Sequence, residues 1–600
     1  MEYLMKNFTK KIATTFIVTA TLLSSVGCGG GGDGGHKHNF NIKNVSEAYF
    51  AAEATCKAPA SYYYTCECGE ISDKVFYVGA LASHDFSAEK VSPEYLKNKA
   101  TCQNGAEYYK SCTMCGERTY KTFFTDEVGE HSYDKEVPDG QYLKTEATLS
   151  SAPEYYKSCV CGESGKETFF YGDPLREYTA AEKALYTPTS LTVTLYDTAT
   201  LTYGFTYNTS SAPLRPVIQI ATGTSLTDYK EYSATVEKAS SYATSGEPSE
   251  GSSASDSKIE YYIVKAEVPL SANTTYTYRA YDKYVDIGTG LATFTTSDPT
   301  ATKFSFAHTS DSQMSDSMGT AFANVLSKVI PNNDFILHTG DVVEWSKYEY
   351  QWTDMLHTNF EYLSKIPVMA ISGNHETSYR NGTNETYKHF HNNIPEQYTL
   401  SGYYYSFTYG NAKFIMLNTN RLSANKLTED QYDWLVNELE NNTATWTFVA
   451  LHNPMYSAGG YGSNPSKNSI ALSLQSQLQG IFAEYGVDVV LQGHDHLVSR
   501  TMPINANGEA VAESFKTINN VQYSINPKGV LYVMNGPSGT QIRSPYEDYD
   551  KSLYKYALSS NSCSWADFSI DGNQLTVTVQ HAVGDETKTY QTWGIVKENA

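Results

Sequence analysis

The stretch "DFILHTGD" (residues 334–341) joins two kinds of sequence. Its first half is an apolar run of the kind that forms a buried strand, and the stretch ends in a glycine and an aspartate. Four other stretches share this design, and helical patterns such as "EDQYDWLVNELE" lie between them. They are "KFSFAHTSD" (303–311), "PVMAISGNHE" (367–376), "WTFVALHNP" (446–454) and "VDVVLQGHDH" (487–496). The alternation predicts a layered α/β domain over residues 300–600.

These five strand-like runs end in groups of polar side chains that can bind metal. The groups are Asp311 with Gln313, Asp341, Asn374 with His375, His452, and His494 with His496. In open α/β sheets, sites form beyond the carboxyl ends of the strands. Each residue taken singly fits a turn or a histidine with ordinary hydrogen bonds. Five such groups together favour a dinuclear centre of carboxylate, amide and imidazole ligands.

Four short motifs in this region occur in a fixed order: "GD" (340–341), "GNHE" (373–376), "LHNPMYS" (451–457) and "GHDH" (493–496). Their order and spacing resemble those of the calcineurin-like metallophosphoesterases. The preceding "TFTTSDP", together with "HNPMYS" and "VDVVLQGHDHLVSRTMP", is similar to the purple acid phosphatases in particular. The resemblance covers about residues 183–600.

The resemblance implies a ligand set and a reaction. The first metal would take Asp311, the bridging Asp341 and His496, and the second would take Asp341, Asn374, His452 and His494. Gln313 is a further candidate ligand of the first metal, because its carbonyl oxygen can reach an ion directly or through water. The ions would be two divalent metals such as Mn, Fe, Zn or Mg. A hydroxide bridging them would hydrolyse phosphate monoesters, as in acid phosphatases, and His375 would assist the leaving group.

Alternatives to this function remain open. The same centre suits a phosphodiesterase or a nucleotidase. A surface-binding protein with a vestigial catalytic domain would carry the same motifs.

The sequence departs from the purple acid phosphatase pattern at two places. Glu344 stands where that family has a tyrosine, and no second histidine follows "HNPMYSAGGYGSNPS" closely. Gln313 stands where many metallophosphoesterases have a histidine. The departures imply an enzyme without the tyrosinate colour and leave the metal and the substrate undetermined. Nearby, "HFH" (389–391) is interpreted as a surface loop.

Residues 183–298 consist of short alternating segments separated by Ser, Gly, Asn and Pro clusters, which predicts an all-β sandwich. The run "VPLSANTTYTYRAYD" (268–282) resembles fibronectin type III domains, in which a tyrosine braces a corner.

Three copies of one unit precede the sandwich, over residues 36–175. They contain "ATCKAPASYYYTCECGE" (54–70), "ATCQNGAEYYKSCTMCGE" (100–117) and "ATLSSAPEYYKSCVCGE" (147–163), each led by a histidine: His38, His84 or His131. One histidine and three cysteines per unit suit zinc, with His38, Cys56, Cys66 and Cys68 in the first unit and His84, Cys102, Cys112 and Cys115 in the second. The third unit has Leu149 in place of its first thiol. Eight cysteines in an exported chain equally suit disulfides, so both interpretations stand.

The amino terminus and the overall charge bear on location and partners. Residues 1–27 are typical of an export signal, and Cys28 with the Gly-rich tether 28–35 resembles a bacterial lipoprotein site. The chain is therefore expected to be a cell-surface lipoprotein, or otherwise secreted, with any membrane contact made through the lipid. A net charge of −22 argues against binding of nucleic-acid backbones. The expected partners are a phosphate ester and, for the repeats, a cell-surface ligand.

Overall fold

The computed structural model describes residues 38–243, 257–298, 300–313, 318–377, 385–394, 403–420 and 422–598. The predicted export signal (1–27), Cys28 and the tether (28–35) lie outside these residues. The chain divides into two compact units, Met1–Gly129 and Glu130–Ala600, and each is described by itself. Among the helices of the described residues, none is long and apolar enough to cross a membrane.

The first unit holds two of the three repeats, and each repeat forms a small antiparallel sheet. In the first repeat β3 pairs with β1, β2 and β4, and in the second β6 pairs with β5 and β7. Cys56, Cys66 and Cys112 are buried together with a few aromatic side chains such as Phe76 and Tyr95. The strands are β1 (Ile42–Lys43), β2 (Phe50–Ala52), β3 (Ala60–Thr65), β4 (Ile71–Val78), β5 (Leu96–Asn98), β6 (Gly105–Ser111) and β7 (Arg118–Val128).

The second unit opens with the third repeat, whose central strand β9 pairs with β8 and β10. This repeat is hydrogen-bonded to the sandwich that follows: the Gly140 N–H donates to Ser233 Oγ at 2.8 Å, and the Ala147 N–H donates to the Tyr284 hydroxyl at 3.2 Å. The elements are β8 (Leu143–Thr145), β9 (Glu154–Ser158), β10 (Ser164–Phe170) and helix α1 (Ala180–Ala184).

The predicted all-β region is a sandwich of two antiparallel sheets. One sheet has the order β11-β12-β16-β15, and the other has the order β14-β13-β17-β18 with β19 also on β17. Phe205, Tyr278 and Phe294 form the aromatic centre between them, with ring centroids 5.0 and 5.5 Å from Tyr278. The strands are β11 (Thr189–Asp197), β12 (Thr202–Thr209), β13 (Pro216–Thr222), β14 (Lys230–Ser233), β15 (Thr235–Ala243), β16 (Ser257–Pro269), β17 (Thr275–Asp282), β18 (Ile287–Gly288) and β19 (Ala292–Thr295).

The region after residue 300 has the predicted α/β layering, with two mixed sheets. The first has the order β22-β21-β20-β34-β35-β36-β31-β30 and the second β23-β24-β27-β28-β32-β29-β33. The strands are β20 (Lys303–Thr309), β21 (Phe335–His338), β22 (Val368–Ala370), β23 (Tyr405–Tyr409), β24 (Ala412–Met416), β25 (Leu422–Ser423), β26 (Lys426–Leu427), β27 (Trp446–Leu451), β28 (Val489–Gln492), β29 (Leu497–Thr501), β30 (Phe515–Ile518), β31 (Val521–Ile525), β32 (Leu531–Asn535), β33 (Tyr554–Ser559), β34 (Ser564–Asp571), β35 (Gln574–Val583) and β36 (Glu586–Val596). The helices are α2 (Met318–Val329), α3 (Glu349–Thr358), α4 (Phe360–Leu363), α5 (Asn374–Thr377), α6 (Glu385–His389), α7 (Glu429–Glu440), α8 (Gly460–Ser463) and α9 (Ser469–Glu484).

The two sheets share a core of stacked aromatic side chains. Phe306 of β20 lies at its centre, with ring centroids 4.7 Å from Phe568 and 5.1 to 5.3 Å from Phe335, Phe414 and Phe448. The helices cover the outer faces because their apolar residues recur on one side. In α9 the buried residues are Ala471, Leu474, Leu478 and Phe482, spaced by three and four positions. This packing fixes the carboxyl ends of the parallel strands of both sheets.

The sandwich makes polar contacts with helices of the α/β region. Asn208 Nδ2 donates to Glu349 Oε1 at 2.7 Å, and the Tyr278 hydroxyl donates to the Ser364 carbonyl at 2.8 Å. The interpretation of "HFH" as a surface loop is wrong: His389 and Phe390 are 0 % and 2 % exposed. They are buried because the sandwich covers them, and Thr192 Oγ1 donates to the His389 carbonyl at 2.5 Å.

Candidate metal centre

The side chains singled out at the strand ends meet where the two sheets come together. Asp311, Asp341 and Asn374 follow the parallel strands β20, β21 and β22 of the first sheet. His452 and His494 follow the parallel strands β27 and β28 of the second. Parallel strands end at the same edge of a sheet, so each sheet contributes one wall of the site.

Two groups of ligand atoms form there and share one carboxylate. Asp311, Asp341 and His496 make one group, and Asp341, His452 and His494 make the other, with the atoms of each group within 4.8 Å of one another. The donors are carboxylate oxygens and imidazole nitrogens, the set that divalent transition metals accept. A pair of sites joined by Asp341 is the arrangement that a dinuclear centre requires.

Distances within the groups leave room for ions between the side chains. His452 Nε2 lies 3.1 Å from Asp341 Oδ2, and His496 Nε2 lies 3.2 Å from Asp311 Oδ1. Asn374 directs its amide oxygen Oδ1 to within 3.0 Å of His452 Nε2, so it joins the second group. His494 Nδ1 lies 3.2 Å from the same His452 nitrogen.

Backbone carbonyl groups orient two of the imidazoles. His452 Nδ1 is 2.8 Å from the Thr339 carbonyl oxygen, and His496 Nδ1 is 2.7 Å from that of Gln541. A carbonyl can only accept, so each Nδ1 carries a proton and each Nε2 is the ring nitrogen directed into the site. Such outer hydrogen bonds fix a metal-binding tautomer.

The backbone is strained at four of these residues. Asp311, Asp341, His494 and His496 have φ values of 50°, 55°, 75° and 50°, a region that L-residues rarely adopt. Strain of this kind persists where surrounding contacts hold it and concentrates at functional sites. Gly340 precedes Asp341 at φ 91°, and a Cβ there would lie 2.4 Å from the Gly373 nitrogen. The two ligand-bearing loops therefore approach each other closely.

Glu376 ties those loops together, although the sequence interpretation gave it no role. Its buried carboxylate accepts hydrogen bonds from the N–H groups of Gly373 at 2.7 Å and of Asp341 and Val342 at 2.9 Å. Burial and the Asp341 charge raise the pKa of Glu376 to about 7. The position of Glu376 in the "GNHE" motif was the sequence feature that could have indicated this role.

Asp495, which lies between His494 and His496 in the chain, also joins two loops of the site through its carboxylate. Its carboxylate accepts from Ser457 Oγ at 2.6 Å and from the N–H groups of Tyr461 and Gly462. It therefore fixes the loop after β27 against the "GHDH" turn. Within that motif the sequence interpretation used only the two histidines.

The electrostatics of the site favour ionised aspartates. Burial would raise the pKa of both, but nearby histidines outweigh it and hold the pKa of Asp341 far below its ordinary value. For Asp311 burial is likewise outweighed, chiefly by His496, and its pKa falls to about 2. Both carboxylates are thus available as anionic ligands at neutral pH.

His375 faces the centre without belonging to either group of ligands. Its backbone N–H donates to Asp341 Oδ1 at 2.9 Å, and its Nδ1 lies 2.7 Å from the Glu344 carbonyl oxygen. Nε2 lies 3.8 Å from Asp341 Oδ2, and the side chain is 24 % exposed. The imidazole is held at the rim, where a substrate can reach it.

Gln313 and Glu344, both of which differ from the residues expected from the resemblance, lie next to the first group. The side-chain amide of Gln313 is oriented so that both of its terminal atoms have suitable partners. Its nitrogen donates to the Asp311 and Asp341 carbonyl oxygens at 3.3 and 3.1 Å, and its oxygen faces His496 Nε2 at 3.3 Å. Glu344 Oε2 accepts from Gln541 Nε2 at 3.1 Å and is outside both ligand groups.

A cavity of about 480 Å³ opens onto the second group of ligands. Asn374 and His494 form part of its wall, and Asn420, Tyr461 and Lys467 form another part. The Tyr461 ring centroid lies 4.0 Å from that of His494. The cavity offers a cation and amide groups beside the candidate metal site.

The repeats bring together cysteines and histidines in an order that differs from the predicted one. His38 Nδ1 lies 3.3 Å from Cys66 and 3.2 Å from Cys68, which are joined by a disulfide. Cys56, assigned to the same site from the sequence, instead lies with His84, Cys112 and Cys115 of the next repeat.

The reason for this shift is a backbone bond that the sequence does not reveal. The Ala82 N–H donates to the Thr55 carbonyl oxygen at 3.0 Å, which places the start of the second repeat beside Cys56. Cys102, assigned to the second site, is outside this group. His131, Cys159 and Cys161 of the third repeat also lie within 4.8 Å of one another.

Comparison with known proteins agrees with the class that the fold and the donor set define. Residues 304–498 match the family described as calcineurin-like phosphoesterase, and they form a domain of that class. Relatives include Purple acid phosphatase 15 of Arabidopsis thaliana, 26 % identical over 194 residues that span 31 % of this chain and 32 % of that protein. The acid phosphatase of Aspergillus ficuum is 25 % identical over 29 % of this chain and 40 % of its own.

A solved structure shows the same fold over a longer stretch. The purple acid phosphatase PPD1 from yellow lupin (Lupinus luteus) seeds matches with a TM-score of 0.55 and 17 % identity, over 69 % of this chain and 75 % of that one. In sequence, the chain spans only about a third to two fifths of the length of the two relatives above.

Proposed function

We propose that this protein is an exported, metal-dependent phosphatase that hydrolyses phosphate monoesters. The observation that carries the proposal is the pair of ligand groups sharing Asp341 beside an open cavity. The acid phosphatase relatives support the reaction class.

The residues fit two divalent ions in number and in chemistry. Asp311, Asp341 and His496 would hold one ion, and Asp341, Asn374, His452 and His494 would hold the other. Bound there, the ions would supply an activated water and offset the charge of the phosphoryl oxygens. The protein keeps both aspartates ionised and directs Nε2 of His452 and of His496 into the site.

His375 is proposed to assist the leaving group. Its Nδ1 is engaged with the Glu344 carbonyl, so Nε2 is the atom that can donate a proton or a hydrogen bond to the departing oxygen. The partial exposure of the ring lets a substrate approach it.

The cavity next to the second group suits a phosphate ester. Lys467 supplies a positive charge, and Asn420 and Asn453 supply amide groups for a polar substrate. Tyr461 offers an aromatic face of the kind on which a ring in the substrate can stack.

The remaining regions are proposed to serve this activity outside the cytoplasm. Residues 1–27 would direct export, Cys28 would carry a lipid, and 28–35 would form a tether. The repeats (36–175) would bind a cell-surface ligand, and 183–298 would be a fibronectin III-like spacer before the catalytic domain (300–600). In support of the spacer, the Ser271 N–H donates to the Tyr276 hydroxyl at 2.9 Å, a corner-bracing tyrosine contact.

The decisive experiment compares monoester and diester chromogens after chelation and return of single divalent ions. We expect monoester turnover with at least one ion, and loss of turnover in Asp341→Asn, which keeps the shape of the side chain but not its bridging charge. Asp354→Asn, on an exposed position of α3, is the matched control. Preference for diesters would indicate a phosphodiesterase or nucleotidase. No turnover and no bound metal would leave the surface-binding role.

A further inference from the structure

The cysteine cluster of the first unit draws on two consecutive repeats. Cys56 comes from the turn before β3 of the first repeat, whereas His84, Cys112 and Cys115 come from the second. We propose that these four side chains bind one zinc ion, which fastens the two repeats to each other. This site is independent of the phosphatase centre.

The distances match a tetrahedral zinc site. With bonds of about 2.3 Å to sulfur and about 2.0 Å to imidazole nitrogen, two sulfurs lie roughly 3.8 Å apart and a sulfur lies roughly 3.5 Å from the nitrogen. Cys56 Sγ and Cys112 Sγ are 3.8 Å apart, and Cys115 Sγ is 3.4 Å from His84 Nδ1. A disulfide would require about 2.0 Å between the sulfurs.

The environment of the histidine also suits a ligand. His84 Nδ1 faces the sulfurs while Nε2 lies 3.6 Å from the Glu117 carboxylate. A carboxylate on the outer nitrogen is the usual support for a zinc-bound imidazole. Cys56 and Cys112 are buried, at 7 % and 0 % exposed, so the sulfur side of the site is shielded from water.

One backbone hydrogen bond between the repeats and one within the second repeat position these ligands. The Ala82 N–H donates to the Thr55 carbonyl at 3.0 Å, which sets His84 beside Cys56. The Thr113 N–H donates to the Asp85 carbonyl at 2.8 Å, which sets His84 beside Cys112. The ligands are thus positioned by the chain before any ion arrives.

A zinc ion would supply stability that the small sheets of the first two repeats lack. The strands of the first repeat and those of the second belong to separate sheets, and neither sheet has a large apolar core. Units of this size need a metal or a covalent link for stability. A shared ion would stabilise both repeats and their spacing in one step.

Cobalt substitution in the full chain tests the site without relying on activity. Thiolate-bound cobalt(II) absorbs in the near-ultraviolet, and the phosphatase centre has no thiolate ligand, so the band reports on the repeats alone. We expect the wild type to show the band and to bind one more zinc per chain than Cys56→Ser.

Double substitutions establish which repeat Cys56 serves. Cys56→Ser and Cys112→Ser should remove the same metal, so the double variant should lose no more than either single variant. Cys66→Ser, in the first repeat, is the matched control and should keep the second-repeat band. His84→Gln, at an exposed position, should lower the affinity for cobalt even if the cysteine variants fold poorly.

Two results would overturn the proposal. In the first, Cys56→Ser and Cys66→Ser remove the same metal ion, whereas Cys56→Ser and Cys112→Ser remove different ions. That result would place the metal of Cys56 within the first repeat. The other is a chain without the cobalt band in which peptide mapping finds Cys56 and Cys112 linked by a disulfide.

Discussion

His375 illustrates at the scale of one residue how position separates chemistry from metal binding. It follows the proposed ligand Asn374 in the chain, yet its ring lies outside both ligand groups and is held by the Glu344 carbonyl. A histidine placed in this way can act on the substrate without loss of metal when it is removed.

We therefore expect His375→Ala to lower turnover of alkyl phosphates, whose leaving groups are poor, by about 10²-fold to 10⁴-fold. Turnover of nitrophenyl phosphate, whose leaving group needs little help, should fall much less. Steady-state kinetics on both substrates and metal analysis would measure this. His357→Ala, at an exposed position of α3, should change neither. Equal losses on both substrates, or loss of metal, would contradict a role on the leaving oxygen.

Gln313 bears on the identity of the first metal. Its side-chain oxygen faces His496 Nε2, and an amide oxygen is a weaker donor than imidazole for transition ions. Gln313→His is expected to bind the first metal more tightly, as measured by competition with a chelator.

The wild type is expected to lack a visible charge-transfer band, since Glu344 replaces the tyrosine. An iron-loaded coloured sample, or unchanged affinity in the variant, would refute this account of the first site.

At the scale of strands and loops, the sequence was informative where chemistry and strand ends coincide. The apolar runs ending in Asp341 and His452 predicted both the α/β layers and the residues that meet. The sequence was uninformative about Glu376, because only the folded loops show that its carboxylate accepts from four backbone N–H groups. The sequence also did not predict the burial of His389 or the proximity of Cys56 to His84, since both depend on which elements pack together.

Glu376 gives a prediction about the loops after β21 and β22. In Glu376→Gln, the amide nitrogen would face backbone N–H donors and could not accept from them. We expect the free energy of unfolding to fall by about 1–3 kcal/mol. Metal affinity should fall by about 10-fold to 100-fold, because the loop carrying Asp341 loses its support. Urea denaturation and metal titration would measure the two effects.

A matched substitution tests whether the loop contact is responsible. Glu361→Gln on α4 removes a carboxylate that is 76 % exposed and should leave both quantities unchanged. Wild-type metal affinity in Glu376→Gln would show that the loops hold their shape without the carboxylate.

At the scale of the whole molecule, the contact between the sandwich and the α/β domain contains buried ionisable groups. Glu349 of α3 accepts from Asn208 of β12 and lies 3.5 Å from His389 Nε2. Burial is the main cause that raises the pKa of Glu349 to about 8. The same burial lowers the pKa of His389 well below its ordinary value, so both groups are neutral in the folded protein at neutral pH.

The stability of this contact should therefore depend on pH with a defined sign. The unfolded chain releases the Glu349 proton near pH 4.5, whereas the folded protein keeps it until about pH 8. Between these values the folded state binds more protons, so its free energy of unfolding falls as the pH rises, by up to about 1.4 kcal/mol per pH unit. Glu349→Gln carries no titrating proton and should flatten that part of the pH profile.

Urea unfolding of both proteins from pH 4.5 to 8 would show this effect as a growing difference in the free energy of unfolding, in favour of the variant. Glu429→Gln, at an exposed position of α7, should follow the wild type. The candidate metal centre has the same residues in all three proteins. A wild-type slope in Glu349→Gln would therefore mean that the carboxyl group is ionised in the folded protein and that the domain contact tolerates its charge.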